Sequence, residues 1–89
     1  MPEISRFFGI VILLNYNDHA PPHFHAQSGD EELIVSIKDL RVLRGNMSAR
    51  NKRLVMKWAA LHKDELLRAW DEAQLHHTPK KIEPLHRMA

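Results

Sequence analysis

The chain has no cysteine. That excludes disulfides, thiolate zinc ribbons and cysteine nucleophiles, and it leaves the cytoplasm as the default expectation for its compartment. Glycine is scarce: Gly9, Gly29 and Gly45 stand far apart, so no glycine-rich loop is available to cradle a phosphate. No serine stands in a nucleophile elbow. Nucleotide-dependent and serine-hydrolase chemistries are therefore disfavoured, and no motif implies a cofactor. The longest apolar run, Phe7 to Leu14, falls well short of the ~20 residues that span a bilayer, so no membrane association is expected. The first residues lack a charged leader followed by a long apolar stretch and a cleavage site, so no signal peptide is expected. Nor is there a large excess of one charge. Thirteen basic against eleven acidic side chains give +2, too little for a surface saturated with phosphate-binding cations.

What is present is concentrated. The run Asn17-Asp18-His19-Ala20-Pro21-Pro22-His23-Phe24-His25-Ala26 holds three of the seven histidines. Prolines stiffen the backbone that carries them, and imidazoles titrate near neutrality, ligate metals and move protons. If His23 to Ser28 is a strand, Phe24 and Ala26 face inward and His23 and His25 share the other face, about 7 Å apart. Asp18 and His19 enter the same neighbourhood from the preceding turn. One carboxylate with two or three imidazoles suits an acid–base pair, with Asp18 orienting a ring. It equally suits a borderline transition metal such as zinc, although the spacing matches no standard metal motif. It also suits a structural role, with Asp18 capping a turn and the rings bonded to backbone.

The remaining pattern reads as an α+β domain, expected to have three or four antiparallel strands. Residues Ile4 to Tyr16 read as one extended segment whose apolar second face suggests a homodimer or partner contact, with Gly9 marking a bulge. Asn15 to Pro22 is a turn, and Ser28-Gly29-Asp30 a hairpin signal. Glu32 to Ile37 alternates, and Arg41 to Arg44 follows as a fourth short strand. From Ser48, a plausible N-cap, the period becomes helical. Leu54, Val55, Trp58, Leu61, His62, Leu66, Ala69, Trp70 and Ala73 form one apolar stripe packed on one sheet face. Both tryptophans and His62 are expected in the core. A single helix of this length would span roughly 40 Å, so one kinked helix or two are expected, with a break near His62-Lys63-Asp64 and Asp64 capping the second segment. Thr78-Pro79 ends the helical part, and Ile82 and Leu85 pack from an extended tail. The divisions are thus 1–45 for the meander, 48–77 for the helical part and 78–89 for the tail, in one domain.

A second cluster is basic: Arg41, Arg44, Arg50, Lys52, Arg53 and Lys57. Arg50, Arg53 and Lys57 line one helical face near the helix start, where the dipole mildly disfavours cations. An anionic partner such as RNA would supply a reason. Solvation, or pairing with Asp30-Glu31-Glu32, would do so as well.

Several segments resemble one known family. They are Met1-Pro2-Glu3-Ile4-Ser5-Arg6-Phe7, Gly9-Ile10-Val11-Ile12 and the histidine run from Asn17 to Ala26. Trp58-x-x-Leu61-His62-x-Asp64-Glu65-Leu66, Trp70 and Lys81-Ile82-x-Pro84-Leu85 complete the set. Together they resemble the small bacterial domain-of-unknown-function family numbered 4160 in its series. The resemblance implies a bacterial or phage cytoplasmic protein and no assigned activity. It also implies a gene neighbourhood like that of a toxin–antitoxin pair, hence a small partner protein encoded nearby. Asp18, His19, His23, His25 and Arg6 fall on the family's pattern. On this footing the candidate catalytic residues are Asp18, His19, His23 and His25. Arg6, Arg50, Arg53 and Lys57 are candidates for RNA or anion binding. A toxin would cleave RNA without metal, using His23 or His25 as acid or base, Asp18 as orienting group and Arg6 or Arg53 as phosphate clamp. The alternatives are a non-catalytic protein-binding module and a small transition-metal-binding protein.

Overall fold

The computed structural model describes residues 2–87; Met1, which opens the family resemblance, and Met88 and Ala89, at the end of the expected tail, lie outside the described residues. Five strands and two helices follow in order: β1 (Glu3–Phe7), β2 (Ile10–Leu13), β3 (His23–Ser28), β4 (Glu31–Ser36), β5 (Val42–Asn46), α1 (Ala49–Leu61) and α2 (Lys63–Gln74). The strands form one antiparallel meander in the order β1-β2-β3-β4-β5.

The sheet has one strand more than the sequence pattern predicts. The segment read as one strand folds back on itself at Phe8 and Gly9, both at positive φ (49° and 79°). Phe7 pairs with Ile10 across this two-residue turn. A turn with two left-handed residues matches strand twist and is usually written Asn-Gly or Asp-Gly. Phenylalanine in the first position hides it inside an apolar run.

The two sheet faces differ in chemistry. Ile12, Ala26 and Leu33 lie opposite one another across β2, β3 and β4, and Phe24 lies opposite Val35. All five are fully buried. Trp58 of α1 covers this face, 5.9 Å from Phe24 edge-on and 5.4 Å from Phe7. Because strand side chains alternate, the other face carries Leu13, His25, Ile34 and Arg44 in one row, and Arg6, Val11, Gln27 and Glu32 in another. Val11 and Leu13 are only half-buried there.

The Ser48 hydroxyl accepts from the Asn51 N–H and caps α1. The stripe breaks at His62, so there are two helices. The start of α2 differs from expectation: His62, not Asp64, is the N-cap, and it makes no side-chain cap bond. Asp64 lies inside the first turn, where a carboxylate still suits the dipole. His62 instead pairs through Nδ1 with Glu65, 2.7 Å away, and its ring lies 5.6 Å from that of Trp58. The last turn ends at Gln74, short of the boundary read from Pro79. His76 takes a left-handed conformation (φ 59°). The N–H of His76 returns to Ala73 and that of His77 to Glu72, a helix stop usually signalled by glycine. The tail then crosses the fold: the Ile82 N–H donates to Ile4, the Trp58 indole donates to the Glu83 carbonyl, and Ile82 and Leu85 are buried. No helix among the described residues is long and apolar enough to cross a membrane.

Gly45 pairs with Leu33 of β4 at φ +86°, two residues from Leu43, where the register shifts between Ile34 and Val35. A Cβ there would overlap the Glu32 carbonyl, whereas Gly29, also at positive φ, faces open space. Gly29→Ala is therefore expected to cost about 1–2 kcal/mol of stability from left-handed strain alone, and Gly45→Ala clearly more, read as denaturant midpoints. Equal losses would contradict the described β5 register.

Candidate functional site: an imidazole–carboxylate cluster

The loop from Asn15 to Pro22 leaves the end of β2 and returns as β3. It is fixed at several points. The Asn17 N–H donates to the Ala73 carbonyl at the end of α2, and Gln74 Nε2 donates to the Asp18 carbonyl at 2.7 Å. The Ala20–Pro21 peptide is cis. The Ile37 N–H donates to the Pro22 carbonyl at 2.9 Å, continuing the β3–β4 pairing into the loop. The Asp18 side chain is thereby held over the start of β3.

Three ligand-capable atoms meet there. One atom each from Asp18, His23 and His25 lies within 4.8 Å of the others. Asp18 Oδ2 is 2.9 Å from His23 Nε2 and 3.9 Å from His25 Nε2. The three side chains are 14%, 8% and 12% exposed. Asn15 Nδ2 donates to Asp18 Oδ2 at 3.3 Å, and the His19 backbone N–H donates to Oδ1 at 2.9 Å. Burial pushes the Asp18 carboxyl up, but the His19 N–H, the facing His23 and the Asn15 amide together outweigh it and hold Asp18 below the ordinary aspartate value.

The far side of each ring assigns its protons. His23 Nδ1 is 2.8 Å from the Pro21 carbonyl, which can only accept, so Nδ1 carries hydrogen. Nε2 then faces the Asp18 carboxylate, another acceptor. His25 Nδ1 lies 3.4 Å from Glu32 Oε2. Glu32 is itself fixed by Gln27 Nε2 at 2.9 Å, and that bond, opposed by burial and helped by His25, lowers its carboxyl below the ordinary value. A ring with its proton on Nδ1 toward Glu32 presents a lone pair at Nε2. That atom is buried and has no hydrogen-bond partner. In that tautomer a lone pair and a carboxylate oxygen face each other at 3.9 Å. Two acceptors in that position repel unless a proton or a cation lies between them.

The cluster opens onto a cavity of about 270 Å³ lined by Asn15, Asp18, His19, Pro21, His23, His25, Ile34, Leu43 and Arg44. His19 stands at its mouth, with its side chain 91% exposed and Nδ1 3.1 Å from Asp18 Oδ1. The ring of Trp70, from α2, packs 5.2 Å from that of His23.

All four histidine-run candidates are therefore brought together. The basic candidates are not. Arg6 lies on the same sheet face but two strands away from β3, bonded twice to Glu3. Arg50, Arg53 and Lys57 lie on α1, across the sheet from the cluster, and Arg50 Nη1 donates to Asn51. Sequence reasoning missed Glu32, Gln27 and Asn15 as members of the site, and placed Arg44 only in the basic cluster. The Ser28-Gly29-Asp30 turn carried the signal for two of them: it sets Ser28 opposite Glu31 and so Gln27 opposite Glu32. Arg44 required the irregular β5 register.

The chain belongs to the family described as Domain of unknown function (DUF4160), whose model matches residues 9–71. That span contains the whole cluster with Glu32 and Arg44, and excludes Arg6. No curated protein and no solved structure matches the chain.

Substituting each imidazole separates their roles. In metal-free protein, His25→Leu is expected to leave stability unchanged or slightly raised, because it removes an orphaned acceptor facing a carboxylate. His23→Leu is expected to lower stability by about 1–3 kcal/mol, because it leaves the Pro21 carbonyl without its donor and removes the ring facing Asp18. Thermal unfolding in chelator measures both. An equally large loss for His25→Leu would make that ring structural.

Proposed function

We propose that this protein is a mononuclear metal-binding protein of the hydrolytic type, with Asp18 Oδ2, His23 Nε2 and His25 Nε2 as ligands to one divalent transition ion. The observation that carries the reading is the buried, unpartnered Nε2 of His25 aimed at the Asp18 carboxylate. A cation at that point turns the repulsion of two acceptors into two bonds. The second nitrogens support it. Ligating histidines characteristically donate their other N–H to a carbonyl or carboxylate, and His23 and His25 face Pro21 and Glu32 in that way.

Two imidazoles and one carboxylate suit zinc or ferrous iron better than magnesium or calcium. Ligands at about 2.0–2.1 Å around a tetrahedral ion stand about 3.3 Å apart; the 2.9 and 3.9 Å from Asp18 lie either side of that value, and all three atoms are within 4.8 Å of one another. Three protein ligands leave a coordination position open. That is the pattern of catalytic sites, where bound water becomes a nucleophile near neutral pH. His19, exposed and in contact with the other Asp18 oxygen, is placed to exchange protons with solvent.

Metal-independent RNA cleavage would use the same Asp18–His23 pair. It has less support, because Arg6, Arg50, Arg53 and Lys57 stand away from the cavity. The toxin–antitoxin reading, with its partner protein and cytoplasmic setting, draws on gene neighbourhood and gains no observation from the site.

Protein purified without an affinity tag, stripped and reloaded, is expected to bind one equivalent of zinc by elemental analysis. His25→Leu and Asp18→Asn are expected to lose that binding while remaining folded. A folded wild-type chain that takes up no stoichiometric zinc, iron or nickel would overturn the proposal.

A further inference from the structure

The cavity beside the cluster is lined by one cation that the metal reading leaves unused. Arg44 on β5 pairs with Ile34 on β4, and Ile34 pairs with His25 on β3. The three occupy one row on the face opposite the helices, with neighbouring strands about 4.8 Å apart. An arginine side chain is long enough to lie over Ile34 toward the histidines, and both Arg44 and His25 line the same cavity. Leu43, from the same strand, and Pro21 add apolar wall.

Three groups would thus approach one small space from different sides. The ion held by Asp18, His23 and His25 would have its open position there, Arg44 reaches in from β5, and His19 stands at the mouth. The acidic groups near them are committed elsewhere. Asp18 is a ligand, and Glu32 is outside the lining, held by Gln27 and facing His25 Nδ1. Arg44 is the smallest of the influences that lower the Glu32 carboxyl, so Glu32 lies within electrostatic reach of it.

Resting on the metal reading, we propose that the cavity binds the phosphate group of a small phosphorylated molecule, with one oxygen in the open coordination position and others on the Arg44 guanidinium. A tetrahedral oxyanion offers an oxygen to each of the three sides, while a carboxylate offers two in one plane. The guanidinium fork matches phosphate oxygens in a bidentate manner. The volume of about 270 Å³ holds a phosphate and a short substituent, not a polymer.

The test uses the full chain loaded with zinc and titrated with inorganic phosphate by calorimetry. Phosphate is expected to bind the loaded protein at least tenfold more tightly than the metal-free protein. Zinc-loaded Arg44→Gln is expected to lose about tenfold in phosphate affinity while keeping one equivalent of zinc, which also shows that it is folded. Acetate under the same conditions is expected to bind weakly and without dependence on Arg44. If zinc binds but phosphate affinity is the same with and without Arg44, the phosphate proposal fails alone. Acetate binding as tightly as phosphate, with the same dependence on Arg44, also overturns it. If the wild-type chain takes up no zinc, the metal reading fails and this one with it.

Discussion

Gln74 holds Asp18. Its amide crosses from the end of α2 to the Asp18 carbonyl, joining residues 56 apart in sequence, and the rest of the site depends on that tie. The loop from Asn15 to Pro22 buries none of its residues fully, so its conformation must come from hydrogen bonds to rigid neighbours. The end of α2 supplies them. Ala73 accepts from Asn17 and from His76, so the carbonyl that closes the helix also anchors the loop. Pro22 then locks to Ile37, and the chain enters β3 with His23 already positioned.

The sheet separates stability from chemistry. One face is sealed by Trp58 and the aliphatic side chains of β2, β3 and β4. Among the described residues no helical side chain lines the cavity over the His25–Ile34–Arg44 row, and there the polar residues of the cluster and its supports stand. Strand alternation makes the two roles independent at adjacent positions: Phe24 and Ala26 fill the core while His23 and His25 face away from it. An imidazole can therefore be placed for binding without leaving a void among the packed side chains.

Much of this was legible in the sequence because it rests on periodicity. The inward Phe24 and Ala26, the helical stripe apart from Leu61, which is exposed, its break at His62 and the proximity of Asp18 to the imidazoles all follow from side-chain spacing and turn chemistry. What was not legible has a common cause: residues performing tasks for which other residue types are the usual signal. Phe8 takes a left-handed turn position, so β1 and β2 read as one strand. His76 takes the place of glycine at a helix stop, so α2 read long. His62 caps α2 without a side-chain bond, so Asp64 read as the cap. The partners of the cluster were hidden for a different reason. Gln27 and Glu32 meet through cross-strand register, and Arg44 joins them only after a shift between Ile34 and Val35 that no local pattern encodes.

The decisive property of the site is an imbalance of acceptors over donors. Pro21, Glu32 and the Asp18 carboxylate surround two rings that, when neutral, bring one N–H each. A protein using these rings only to hold its fold would be expected to satisfy them, since a buried unpaired acceptor costs about 1–3 kcal/mol. Protonating both rings would supply the missing hydrogens. For His23 that reaches a bond of ordinary length, but His25 Nε2 stands 3.9 Å from Asp18 Oδ2, beyond a hydrogen bond. A proton is too small to bridge that gap, and a tetrahedral metal ion with bonds of about 2 Å would draw the two atoms to about 3.3 Å. The same distance that leaves His25 unsatisfied is the one that makes room for a cation.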